Sequence, residues 1–134
     1  MADSTDYEGI AEQILEYYYS TFDEDRSKLE PLYRQTSIFS FSGTGVKATG
    51  TTAIIEALKD LPFQKLVRNR QHIDVHPLHP FRQDNSDILV LVCGTLKMDD
   101  APPNCFSHML SLVKEGGTYF IEHDVLQFIY TSTE

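Results

Sequence analysis

YYYSTFDEDRSKLEPLY, residues 17–33, and LPFQK, residues 61–65, decide how this chain folds. Outward from the first stretch, Ile10, Ile14, Tyr18 and Phe22 recur at every fourth position with Leu15 beside them. That spacing predicts an amphipathic helix over 5–24. Ser4 or Thr5 is placed to cap it, and Glu8 completes a capping box with Thr5. The helix runs into Asp23-Glu24-Asp25-Arg26. Carboxylates oppose the macrodipole at a helix C-terminus, so their better use is to cap a second helix over 26–34. Pro31 lacks a backbone donor and keeps that helix short.

LPFQK marks the end of another helix, over 51–59, with Ile54, Ile55 and Leu58 inward and Thr51 or Thr52 as cap. Pro62 just beyond it is a stop signal. Upstream, SIFSFS (37–42) alternates about Phe39 and Phe41 as a half-buried strand does. Gly43, Gly45 and Gly50 then punctuate a turn and a short return strand. Downstream, everything is strand-like. Residues 66–76 set Val67, Ile73 and Val75 against polar neighbours, and the apolar run over 88–98 predicts burial on both faces. Strands over 106–114 and 119–130 flank Glu115-Gly116-Gly117 as a hairpin. Helices first and antiparallel strands after give an α+β fold, a curved antiparallel sheet with helices packed in its concave face and a cavity between. The other sheet face needs cover, and a second copy of the chain is the simplest one.

At 134 residues the chain reads as one domain, 1–134. A net charge of −9 argues against nucleic acid and anionic membrane as partners, because phosphates call for clustered Lys and Arg. The densest basic group, Lys65, Arg68 and Arg70, reads as the solvated side of a strand. No apolar run reaches the length of a membrane span, and residues 1–8 carry no signal-peptide pattern. Cys93 and Cys105 are therefore expected as reduced thiols, Cys93 as a small buried side chain. No phosphate loop, dinucleotide fingerprint, zinc pair or nucleophile elbow occurs, so no cofactor and no metal are expected. His72, Asp74 and His76 share one strand face, which reads as a polar face rather than a metal or acid–base set. Asp99-Asp100 sits in a turn between strands, where two carboxylates can receive a partner's Lys or Arg.

Tyr18-Tyr19, Phe22-Asp23-x-Asp25-Arg26, Leu29, Leu32-Tyr33, Ile54-Ile55-Glu56-x-Leu58, LPFQK and Gly94-x-Leu96-x-x-Asp99 together resemble the nuclear transport factor 2 family over nearly the whole chain. The resemblance implies a homodimeric carrier, not an enzyme, that takes the GDP form of the GTPase Ran through nuclear pores between cytoplasm and nucleus. It implies a Ran site at the cavity mouth, with Asp99 and Asp100 on the rim and Phe41, Leu61 and Leu96 lining the cavity. It also implies an anchor for FxFG nucleoporin repeats at Tyr7. Two rim acids of the family are replaced here, by Ser42 and Ala101. That departure suits an alternative, the NXT-like adaptor that heterodimerises with an mRNA export receptor. A third class, a small cavity isomerase or dehydratase, would draw on Asp74, His108 or His123 with Tyr18 or Tyr33.

Overall fold

The first helix, α1, spans Tyr7–Glu24 and turns Ala11, Leu15, Tyr18, Thr21 and Phe22 inward. It belongs to a computed structural model that describes residues 6–42, 45–83 and 86–129. Its cap is Asp6, whose carboxylate accepts from the Gly9 N–H at 3.0 Å, one residue after Thr5 and two after Ser4. Ser4 and Thr5 lie outside the described residues. Asp25 stops α1 and caps the next segment by accepting from the Ser27 N–H. That segment, Arg26–Leu32, is a 3₁₀ helix, the tighter form in which short pieces with an internal proline settle. The second helix, α2, spans Thr51–Lys59. Gly50 is its N-cap, at φ 91°, and neither Thr51 nor Thr52 caps it. A side chain at Gly50 would be strained at that φ and would press on the Gln35 carbonyl at 3.3 Å.

Six strands form one sheet: β1 Ile38–Phe41, β2 Val46–Thr49, β3 Leu66–Pro77, β4 Ile88–Met98, β5 Asn104–Glu115 and β6 Thr118–Ile129. Their order is β2-β1-β6-β5-β4-β3. All neighbours are antiparallel except β1 and β6, which pair in parallel from Ile38 opposite His123 to Phe41 opposite Leu126. The expectation of a wholly antiparallel sheet is thus corrected at one seam, where the first strand docks on the last after a long crossover.

β3 changes face part-way along. Gln71 bulges between Arg70, opposite Gly94, and His72, opposite Cys93. An extra residue shifts a strand's two-residue period by one. Ile73 and Val75 therefore lie on the helix side, whereas Val67 lies on the outer side and is 48% exposed. The same shift turns Arg68 and Arg70 toward α1; Lys65 and Arg70 are exposed as the sequence suggests, whereas the Arg68 side chain is largely covered. Gly94 sits beneath the bulge, where an added Cβ would meet the Asn69 carbonyl oxygen at 2.1 Å.

β4 is buried on one face only. Ile88, Val90, Val92 and Leu96 are in the core, while Leu91 is 37% exposed on the outer face. Cys93 is on that outer face too, half-buried rather than in the core. His72, Asp74 and His76 also point outward and are exposed.

Candidate functional site

Phe22 and Phe63, one aromatic residue from each of the two deciding stretches, stack on each other at 6.4 Å and share one cation. The Arg26 guanidinium lies over the Phe22 ring at 5.0 Å and the Phe63 ring at 4.7 Å. Its N–H groups donate to the Leu58 carbonyl at 3.1 Å and the Phe63 carbonyl at 2.6 Å. The Leu58 carbonyl is in the last turn of α2, and the Phe63 carbonyl is in the segment that follows it. One arginine therefore fastens the end of α1 to the end of α2.

The Gln64-Lys65 backbone is held from the other side. Asp99, at φ 50°, accepts from the Lys65 N–H at 2.7 Å and the Gln64 N–H at 3.1 Å, and its own N–H donates to the Lys65 carbonyl. Asp100 is exposed and makes no ion pair among the described residues. Beneath this lip lie Leu61 and Leu96, both buried, and Phe41, which meets Phe63 and Phe128 edge to face. Five of the residues expected at the cargo mouth, Asp99, Asp100, Phe41, Leu61 and Leu96, thus sit on or under the segment 61–65 and the adjoining turn. Tyr7, expected at a separate surface, is not among them. It is half-buried at the opposite end of α1, about 22 Å of helix from Phe22 at 1.5 Å per residue.

Deeper in, a polar network closes around Asp124, which is 0% exposed. Its Oδ2 accepts from the Tyr33 hydroxyl at 2.6 Å and the Tyr18 hydroxyl at 2.8 Å. Its Oδ1 lies 2.6 Å from His108 Nε2. The carboxylate accepts only, so Nε2 carries the hydrogen, and Nδ1 shares a hydrogen bond of 2.9 Å with the Tyr19 hydroxyl. Every polar atom of the set has a partner, as deep burial demands. Burial, with the Asp124 charge next in weight, holds the Tyr18 and Tyr33 hydroxyls well above the usual phenol range. Burial raises Tyr19 as well.

The sequence reading saw Tyr18, Tyr33 and His108 but not the carboxylate that gathers them. A signal was present: Asp124 shares the inward phase of β6 with Leu126 and Phe128, and a carboxylate in core phase requires donors. The cavity left beside the network is about 10 Å3, lined among others by Leu66, Leu96, Phe106 and Leu126. That holds about one water and no substrate. Asp74 and His123 are outside it: Asp74 is exposed, and His123 bonds Ser111 instead. Among the described residues no cluster of three or more His, Cys, Asp or Glu is placed to hold a metal.

A second, open hollow of about 550 Å3 runs between α1 and β3. Glu12, Glu16 and Asp23 line one wall, and Val67, Arg68 and Arg70 the other. Arg70 pairs with Glu12 at 2.7 Å and Arg68 with Asp23 at 3.2 Å.

Residues 10–128 match the nuclear transport factor 2 (NTF2) domain family. The nuclear transport factor 2 of Candida glabrata is 35% identical over 130 residues, which cover 96% of this chain and 99% of that protein. The structure of nuclear transport factor 2 from Cryptosporidium parvum superposes with a TM-score of 0.81 at 25% identity, covering 96% of this chain and 99% of that one. A chain of the Candida albicans Mtr2–Mex67 M domain complex shares the fold, with a TM-score of 0.70 at 17% identity over 95% and 97% of the two chains.

Proposed function

The chain belongs to the nuclear transport factor 2 family, and from that membership we propose that it carries the GDP form of Ran through nuclear pores. The family is one of transport factors rather than enzymes, and an interior of about 10 Å3 has no room for turnover. Cargo docks at the mouth above Leu61, Leu96 and Phe41, with Asp99 and Asp100 as the acidic lip. Burying one partner aromatic there supplies roughly 1.5–3 kcal/mol. The lip carboxylates select orientation and partner, and the net charge of −9 steers a basic surface inward. Tyr7 anchors FxFG nucleoporin repeats, and two copies associate through the outer sheet face. The carrier then moves between cytoplasm and nucleus and gathers at the nuclear envelope.

The observation that carries this reading is the fixed lip. Asp99 is engaged by two backbone N–H groups, which sets the turn rigidly and presents Asp100 as the carboxylate available to a cation. With Ser42 and Ala101 in place of acids, Asp100 bears most of the charge contact. Titration with Ran loaded with GDP and with a non-hydrolysable GTP analogue tests it. Binding to the GDP form alone is expected, and Asp100→Lys lowers it at least about tenfold with folding unchanged. Equal binding of both forms, or indifference to Asp100→Lys, refutes the assignment.

The absence of acids at Ser42 and Ala101 favours one other reading, an adaptor that heterodimerises with an export receptor. No binding to either Ran form, with a chain that is monomeric alone, selects it.

A further inference from the structure

The open hollow and the interior pocket have four wall residues in common: Tyr19, Leu66, Arg68 and Phe106. Leu66 and Phe106 are core residues, so they are fixed by packing. Nothing larger than a water enters the pocket unless Tyr19 or Arg68 moves. Their costs differ. Swinging Tyr19 out removes the hydroxyl bonded to His108 Nδ1 and leaves a buried polar atom unpaired. Swinging Arg68 out leaves no buried polar atom behind. Its partner Asp23 is 47% exposed and can be hydrated, and the guanidinium goes to water.

Arg68 is also crowded. It stacks on Tyr19 at 4.2 Å and on Phe22 at 5.0 Å, while Arg26 lies over the same Phe22 ring at 5.0 Å. Two like charges flank one ring. Arg26 is tied to two carbonyls, whereas the contacts that hold Arg68 are the two rings and Asp23, so Arg68 is the one with freedom to leave.

We infer that Arg68 is the gate of the interior pocket and sets which partners the cavity admits. Swung out, it joins hollow and pocket. Its seat on Tyr19 and Phe22 takes a planar aromatic side chain, and the released Asp23 takes a basic residue beside that ring. The identity of the partner rests on the carrier reading above; the opening does not.

Indole is the probe, and the leucine methyl resonances of the intact chain are the readout. In Arg68→Ala, indole shifts the methyls of Leu66, Leu96 and Leu126 and binds about tenfold more tightly than in the wild type, the scale of the stacking and ion-pair contacts removed. Asp23→Asn, which alters one exposed carboxylate, falls between the two and carries the test if Arg68→Ala does not fold. Equal affinity in wild type and variants, or shifts away from those three leucines, overturns the gate. Tighter indole binding by Arg68→Ala with unchanged affinity for Ran leaves the gate standing and removes the carrier reading of this cavity.

Discussion

At the scale of single residues, Asp124 is the demanding one. It is fully buried and fixes three aromatic side chains, from α1, the segment after the 3₁₀ helix and β5, at 2.6 to 2.8 Å. Its network also sets the chain's alkaline limit. The unfolded chain gives up its phenolic protons near pH 10.0, while burial raises Tyr18, Tyr19 and Tyr33 in the folded chain. Above that pH the folded state binds more protons than the unfolded one, so stability is fully present below it and falls as pH rises. Each of the three phenols contributes a slope of about 1.4 kcal/mol per pH unit. Urea midpoints are therefore expected to be flat from neutral pH to about 9 and to drop steeply beyond about 10.5. Tyr33→Phe should lessen the drop by one proton's worth. A midpoint unchanged into that range would mean that these phenols ionise freely.

At the scale of elements, the two deciding stretches turn out to be one joint. Arg26 lies over both Phe22 and Phe63, which stack on each other, and donates to one carbonyl in the last turn of α2 and one in the segment after it. A lysine has neither the plane nor the fork. Arg26→Lys is expected to cost about 2–3 kcal/mol, read as a lower urea midpoint at unchanged slope. A cost below about 0.5 kcal/mol, the scale of ordinary surface changes, would show that the joint holds without the arginine. Elements whose signal is local were legible in the sequence: α1, α2, the limits of β4 and the hairpin at Gly116. What was not legible depends on counting across an irregularity. Gln71 shifts the phase of β3, so Arg68 and Arg70 face α1 and the Arg68 side chain is largely covered. Asp99 was legible as a turn acid and as a rim residue, but not as the cap of Gln64 and Lys65, because that bond joins positions 34 and 35 residues apart.

For the whole molecule, the outer face of the sheet is the open question that chemistry poses. Leu91, opposite Met109 and next to Val125 across β5, lies on a face that also exposes Val67 and Ile129 at 48% and 49%. Apolar side chains concentrated on one sheet face mark an association surface. A chain dimeric in sedimentation equilibrium is expected, and Leu91→Glu should make it monomeric while leaving its circular dichroism unchanged. A wild-type monomer would remove self-association from the carrier reading.

The parallel seam between β1 and β6 also governs how the chain is made. Ile38–Phe41 pair with residues 123–126, the Ser37 hydroxyl donates to the Ile121 carbonyl, and Tyr18 and Tyr33 wait for Asp124. A ribosome delivers α1 and β1 long before it delivers their partners. The first half of the nascent chain therefore holds Phe39 and Phe41 with β2 on one side and without β6 on the other until the last dozen or so described residues emerge. A chain cut short after Gly117 keeps β3 and β4 under α1 but lacks β6, and with it the parallel partner of β1 and the carboxylate that Tyr18 and Tyr33 share.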